Sequence, residues 1–229
     1  MGLTIYHLNI RNFNKFQYNL TIDLNSYSPD IILLNETGLE PLFNPRLLGY
    51  QSISKSQGLY SGVAIFIKND LTFELIRADD DNSLGIKLIT NMGPIIIGTN
   101  YCAPRFNYIP TPTLKSFLSH NLPTILISDF NAHHPNFSNS IKGQPNGDAT
   151  GKILNKFIQS NNLNFLGPYF HTYISNKKRG KPDLILSNNK FKLYHYYIQP
   201  GEFIGSDHVP IIMKISINPI KIPIIPRFL

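Results

Sequence analysis

A single cysteine, Cys102, stands among the 229 residues. Without a second thiol no disulfide can close within the chain, and a zinc site built on thiolates is not supported. No stretch is long and apolar enough to span a bilayer. The first ten residues, MGLTIYHLNI, lack a charged segment followed by an apolar one, so no secretory signal is expected. Tyr6 stands where the myristoylation pattern needs Ser or Thr. Acidic residues are also scarce, 14 against 21 Lys and Arg, in a chain of which only 15% is charged. The resulting net charge of +7 is expected to gather on one face, and such a face favours a polyanion, whether nucleic acid or an acidic membrane. No repeat of fixed period is visible. These absences point to a reducing intracellular compartment. The location expected is the nucleus, although composition does not separate nucleus from cytosol.

What is present suits one large folded domain. Hydrophobic residues make up 42% and aromatics 12%, which excludes a disordered chain. The chain is organised around Ile125 to His134, ILISDFNAHH. Its aliphatic run has no polar face and reads as a strand buried on both sides, in the middle of a sheet. Such strands in layered α/β proteins deliver functional side chains where the sheet stops, here at Asp129 and Asn131. An Asp/Asn turn capping a helix is the plainer alternative.

Other strands end in the same way. Leu3 to Ile10 ends in Asn9-Ile10-Arg11-Asn12, and Ile31 to Leu34 is followed by Asn35-Glu36-Thr37. Between them, Asn14 to Tyr27 has helical spacing, stopped by Pro29. From Gln51 to Tyr101 five short strands separated by Gly, Asn and Asp turns predict an antiparallel meander, with Asp79-Asp80-Asp81 as a solvated hairpin tip. Cys102 is expected inside an apolar strand. Thr113 to Ser119 reads as a short helix, and Ser138 to Asp148 as a loop. Asp148 or Thr150 caps a further helix running to Gln159, with Ile153, Leu154, Phe157 and Ile158 toward the core. His171 to Ile174, Pro182 to Ser187, Tyr194 to Pro200 and Val209 to Ile217 read as four more strands. Helices placed between many strands predict two mainly antiparallel or mixed sheets, packed face to face with helices outside: a four-layer α/β/β/α sandwich.

The polar strand ends share one chemistry. Cleaving a phosphodiester requires neutralising charge on phosphorus, making hydroxide from water and stabilising the leaving oxygen. Mg²⁺ on one or two carboxylates, with open water positions, suits the first and last tasks, and Mn²⁺ could replace it. Glu36 is the leading ligand candidate. His208 paired with Asp183 suits a proton acceptor or charge stabiliser. Asp129 could orient water or protonate the leaving oxygen, and which of Asp129 and His208 is the base stays open. Asn9, Asn131 and Tyr101 can bond phosphate oxygens without adding repulsive charge.

The segments LNIRNF, LLNETGL, GTNYCAP, ISDFNAHH, FHTYIS, KPDLILS and GSDHVPI, in that order over nearly the whole chain, resemble the endonuclease/exonuclease/phosphatase superfamily of DNase I and the apurinic/apyrimidinic nucleases. Within it the chain looks most like the endonuclease domain of non-LTR retrotransposons. The resemblance implies Glu36 as metal ligand and Asp207 as a second acid near the metal. It implies Asn9, Tyr101 and Asn131 around the phosphate, Asp129 near the water, and His208 paired with Asp183. Thr172 and Ser206 match positions that support DNA contact or the site. One position departs. The repair enzymes carry an acid two residues after the first-strand Asn, and here Arg11 stands there, free to contact backbone phosphate or solvent. Lys177, Lys178, Arg179 and Lys181 lie where the look-alike family has a protruding hairpin that reads the minor groove.

The expected function is therefore a Mg²⁺-dependent endonuclease that nicks one strand of double-stranded DNA and leaves a 3′-hydroxyl. By resemblance, that hydroxyl would prime a reverse transcriptase domain farther along a longer polyprotein. Residues 1–217 would form the nuclease, and 218–229 a Pro-rich tail or linker. Two rivals are a phosphoesterase of the same fold acting on small or lipid phosphates, and a DNA-binding module whose nuclease has decayed. No membrane partner is expected.

Overall fold

A computed structural model describes residues 2–137 and 146–222. Alternating side chains divide its strands between three cores. In β1 (Leu3–Asn9) and β2 (Ile31–Asn35), Leu3, Ile5, Ile31 and Leu33 enter one core, whereas Tyr6, Leu8, Ile32 and Leu34 enter another. Period two makes this automatic for a strand that is apolar throughout. The central strand Thr124–Asp129 and the strand Asp183–Ser187 divide likewise. Ile125, Ile127 and Ile185 join the first core, and Leu126, Leu184 and Leu186 form a third. Two sheets thus share one core and each carries another on its outer face.

The remaining large-sheet strands are β3 (Tyr50–Lys55), β4 (Val63–Lys68), β5 (Phe73–Ile76), β6 (Ser83–Leu88), β7 (Ile95–Asn100) and β9 (Asn164–Gly167), with β13 (Tyr196–Pro200) and β14 (Ile211–Ile215). With Thr124–Asp129 as β8 and Asp183–Ser187 as β12, the first sheet runs β13-β14-β1-β2-β4-β3 and the second β5-β6-β7-β8-β12-β9. One pair in each sheet is parallel, β1 with β2 and β7 with β8; the other pairs are antiparallel. Helix α1 (Phe13–Tyr27) covers the first sheet through Phe13, Leu20 and Leu24. Helices α2 (Thr111–Ser119) and α3 (Ala149–Ser160) cover the second through Leu114, Phe117, Leu154 and Phe157. The expected four-layer sandwich is the observed architecture.

Local sequence explains the helix ends. The Asn12 side chain accepts from the Lys15 N–H at the start of α1, and Ser28, in a left-handed conformation before Pro29, closes it. Asp148 caps α3 by accepting from the Gly151 N–H. Glycine matters at one packed site. Gly85 and Gly98 sit opposite each other on β6 and β7, and a Cβ at either would lie 2.7 or 2.9 Å from the Phe117 ring.

Several expectations need correction. The five strands from Gln51 to Tyr101 are not one meander: β3 and β4 belong to the first sheet and β5 to β7 to the second. A turn that changes sheets looks locally like a turn within one. Cys102 lies just past β7 rather than within a strand, and Ile153 on α3 is 41% exposed rather than in the core. The strands β9 and Arg179–Gly180 were not anticipated. The stretch from Val209 to Ile217 is regular only over β14, and His171 to Ile174 pairs regularly only at Tyr173–Ile174. From Asn218 the chain follows the second sheet: Ile220 N–H donates to Ile89 O, Ile222 N–H donates to Asp70 O, and Lys221 pairs with Asp70 at 2.9 Å. The rest of the expected tail, 223–229, and positions 138–145 of the expected loop lie outside the described residues. No helix among the described residues is long and apolar enough to cross a membrane.

Candidate active site

At one edge of the sandwich the face between the sheets turns polar while the alternation continues. After Leu3 and Ile5 come His7 and Asn9; after Ile31 and Leu33, Asn35; after Ile95 and Ile97, Thr99 and Tyr101. After Ile125 and Ile127 comes Asp129, and Asp183 precedes Ile185 on the neighbouring antiparallel strand. The same edge receives Glu36, directly after β2, and the turn Ser206-Asp207-His208 ahead of β14.

Hydrogen bonds join these ends across the two sheets. Asn9 Nδ2 donates to Asp129 Oδ2 at 2.7 Å, and the Asn131 N–H donates to Asp129 Oδ1 at 3.0 Å. The Asp129 N–H donates to Asn35 Oδ1 at 2.8 Å, and Asn35 Nδ2 donates to Thr99 Oγ1 at 3.1 Å. That backbone donor identifies the Asn35 oxygen, so His7 Nε2, 2.9 Å from it, must carry a proton. His208 Nδ1 donates to Asp183 Oδ2 at 2.8 Å, and its Nε2 faces Asp129 Oδ2 across 4.0 Å. The Tyr101 hydroxyl donates to Glu36 Oε1. Arg11 spans two acids, with Nη1 3.0 Å from Asp207 Oδ2 and Nε 3.8 Å from Glu36 Oε2. Arg11, Glu36 and Asn131 all adopt positive φ, +62°, +50° and +44°. Backbone strain of this kind gathers where a fold holds side chains for use.

Burial and pairing set the charges. Burial works against a charged His208, but Asp183 and then Asp129 override it and push its pKa up to about 9. Burial would likewise raise Asp183, yet the imidazolium holds it below the ordinary carboxylate value. Asp129 has no such close cation: burial first, then the Asp183 charge, raise it to about 7, against the pull of His208 and the Asn9 hydrogen bond. Burial lowers His7, which is therefore neutral. Burial and the Glu36 carboxylate raise Tyr101, so its phenol keeps the proton and acts as a donor.

Two donor groups could hold a divalent cation. Glu36 and Asp207 offer carboxylate oxygens, and Asp207 Oδ1 is buried without a hydrogen-bond partner. Asp129, Asp183 and His208 offer ligand atoms within 4.8 Å of one another. In the second group the His208 Nδ1 proton is committed to Asp183, so the acid pair fits a hard, oxygen-seeking ion such as Mg²⁺ or Mn²⁺ better.

The structure brings Asn9, Arg11, Glu36, Tyr101, Asp129, Asn131, Asp183, Asp207 and His208 to this edge. Asn131 donates its side-chain amide to Cys102 O at 3.0 Å. Thr172 and Ser206 are buried: Thr172 Oγ1 accepts the Asp183 N–H, and Ser206 Oγ donates to Asn9 O. Lys177, Lys178 and Arg179 are exposed on a hairpin of β10 (Tyr173–Ile174) and β11 (Arg179–Gly180), and Lys181 is half-buried at its root. That root is fastened to the histidine turn. Ile174 N–H donates to Asp207 O at 2.8 Å, and the Tyr173 ring meets His208 edge-on at 5.3 Å. His7, Asn35 and Thr99 were missed from sequence. Their signal was a polar residue on the inward phase of an otherwise apolar strand.

A family model described as endonuclease-reverse transcriptase matches residues 95–212. Among curated relatives, the "Probable RNA-directed DNA polymerase from transposon X-element" of Drosophila melanogaster is 28% identical over 208 residues, 87% of this chain and 22% of the relative. The "RNA-directed DNA polymerase from mobile element jockey" of the same species is 24% identical over 94% of this chain and 24% of the relative. The chain thus spans under a quarter of the length of these relatives. Among solved structures, the endonuclease domain of TRAS1, a telomere-specific non-LTR retrotransposon, superposes with a TM-score of 0.72 at 15% identity, covering 94% of this chain and 99% of that one. The catalytic domain of Xenopus laevis APE2 gives 0.75 at 17% identity, covering 95% and 93%.

Proposed function

The chain belongs to the endonuclease–reverse transcriptase family, and from that premise we propose that it is a metal-dependent endonuclease domain that nicks one strand of double-stranded DNA and leaves a 3′-hydroxyl. The observation that carries this reading is the meeting of Asn9, Glu36, Tyr101, Asp129, Asp183 and His208 at one edge, from segments spread over almost the whole chain.

Glu36 and Asp207 would hold Mg²⁺, or Mn²⁺ in its place, and the ion would supply positive charge to the phosphate and the leaving oxygen. The chain's own groups divide the remaining work. A carboxylate with a pKa of about 7 is a suitable proton acceptor at neutral pH, so Asp129 takes the proton from the attacking water. An imidazolium with a pKa of about 9 donates instead, so His208 Nε2–H bonds a phosphate oxygen. The 4.0 Å between the two groups lets them act on neighbouring oxygens, the water at Asp129 and the phosphate oxygen at His208. Asp183 fixes the imidazole ring and its charge. Tyr101 orients Glu36, and Asn9 and Asn131 hold Asp129. Thr172 and Ser206 support these loops, and Lys177, Lys178, Arg179 and Lys181 line the path of the DNA backbone.

In the full-length protein the 3′-hydroxyl would prime a reverse transcriptase domain, and the work would be done in the nucleus. Residues 1–217 would form the nuclease, and the segment from Asn218, after its pairing along the second sheet, would lead to the next domain. Nicking of supercoiled plasmid tests the core of this reading. It should need Mg²⁺ or Mn²⁺, disappear in Glu36→Ala and His208→Ala, and leave ends that a polymerase extends directly. Persistent nicking in both variants would sink it.

A further inference from the structure

Arg11 occupies an unexpected place. It directly precedes Asn12, the residue that caps α1, where the helix presents the positive end of its dipole and a cation is unfavourable. Its backbone is held at φ +62°, with its N–H donated to Asn9 Oδ1 at 3.0 Å, so the start of the side chain is fixed. From there the guanidinium reaches Asp207 Oδ2 at 3.0 Å and lies 3.8 Å from Glu36 Oε2. Glu36 Oε1 is engaged by Tyr101, so Oε2 is the oxygen Glu36 has left to offer. The residue that strains against the helix end is therefore placed by the two acids.

We propose that Arg11 is the resident counter-cation of the Glu36–Asp207 pair, and that a divalent metal enters only by displacing its guanidinium. This inference rests on the reading of Glu36 and Asp207 as the metal's carboxylates. The ion and the guanidinium draw on the same two carboxylates, the guanidinium through Glu36 Oε2 and Asp207 Oδ2, and a site already neutralised by one positive charge attracts a second cation less strongly. The displaced side chain has room to move. Its own side chain is 52% exposed, and a cleft of about 320 Å³ lined by Asn12, Lys15, Phe16, Tyr60 and Gly205 opens beside it. Arg11 would then set how much free metal the domain needs, a property the acids alone would not give.

Direct Mn²⁺ binding, followed by the electron paramagnetic resonance of the free ion or by calorimetry, tests this without any turnover. Arg11→Ala and Arg11→Met, the second keeping an apolar stem, should each bind Mn²⁺ about fivefold more tightly than wild type or better. In EDTA both variants should melt below wild type, because two carboxylates then face each other unneutralised. Added Mn²⁺ should raise their melting temperature more than it raises that of wild type. Binding equal to or weaker than wild type in both variants would overturn the proposal while leaving the metal site in place. Mn²⁺ binding that ignores Glu36→Gln and Asp207→Asn would overturn the metal site and this inference together.

Discussion

Asn9 and Asp129, 120 residues apart and on different sheets, are joined by a 2.7 Å hydrogen bond from the amide to the carboxylate. The bond stabilises the charged form of a carboxylate that burial pushes toward neutrality. Asn9→Ala removes that support, so the Asp129 pKa rises above about 7. The acid limb of the nicking-rate profile should move to higher pH, with the rate near neutrality down about 100-fold. An unmoved acid limb would remove Asn9 from this role.

The partnership of His208 with Asp183 governs the other limb. If the imidazolium is the working form, activity should fall as pH passes about 9. Asp183→Asn replaces the carboxylate that raises His208, so the fall should begin at lower pH, with the plateau rate reduced by about 100-fold or more. A plateau that instead ends at the same pH in both proteins would contradict it.

The same two groups make a prediction about folding in the absence of metal. His208 is raised in the fold, so its contribution is complete below its ordinary value of 6.5 and is lost as pH rises through about 9. Asp129 is raised too, and its ionisation costs stability as pH rises through about 7. Asp183 is lowered; its contribution is present above the ordinary carboxylate value and disappears only well into acid. In EDTA the melting temperature should therefore decline from pH 6.5 to 9, the His208 share being on the order of 3 kcal/mol. His208→Gln should flatten the upper part of that decline.

Replacing Lys177 to Lys181 with a Gly/Ser loop tests the hairpin. Mapped cut positions should change while turnover on a nonspecific plasmid is largely kept. The salt slope of DNA binding should fall by about one for every phosphate that the removed cations had neutralised. Unchanged positions would end the claim that this hairpin chooses the target.

Gly98→Ala places a methyl against Leu126 and Phe117, each 2.9 Å from the new Cβ. Because β7 is buried on both faces, the ring cannot simply withdraw. A loss of about 1–3 kcal/mol in denaturant unfolding is expected. A loss below that range would mean that α2 can shift outward.

Strand identity is legible where apolar runs are long: Ile31 to Leu34 and Ile125 to Ile127 predict buried strands, and both lie there. The candidate site is legible through polar residues that close such runs, Asn9, Asp129 and the acid opening β12. Assigning β3 and β4 to one sheet and β5 to β7 to the other is not, because both kinds of turn use the same Asn, Asp and Gly residues. His7 and Asn35 escape notice for a related reason. Each looks like a blemish in an apolar run until the facing sheet brings Asp183 or Asp129 alongside. The engagement of Arg11 by Glu36 and Asp207 depends on a backbone conformation that its neighbours do not announce.

The fastening of Tyr173 and Ile174 to the turn that carries His208 has a practical consequence for redirecting such nucleases. Segments exchanged beyond Ile174 and before Gly180 would alter only what protrudes toward the duplex, and could be traded between relatives as interchangeable address tags. Exchanges beginning earlier would carry foreign side chains beneath the imidazole and disturb the group proposed to bind the phosphate. The boundary between a portable part and an indispensable one falls within a single pair of residues.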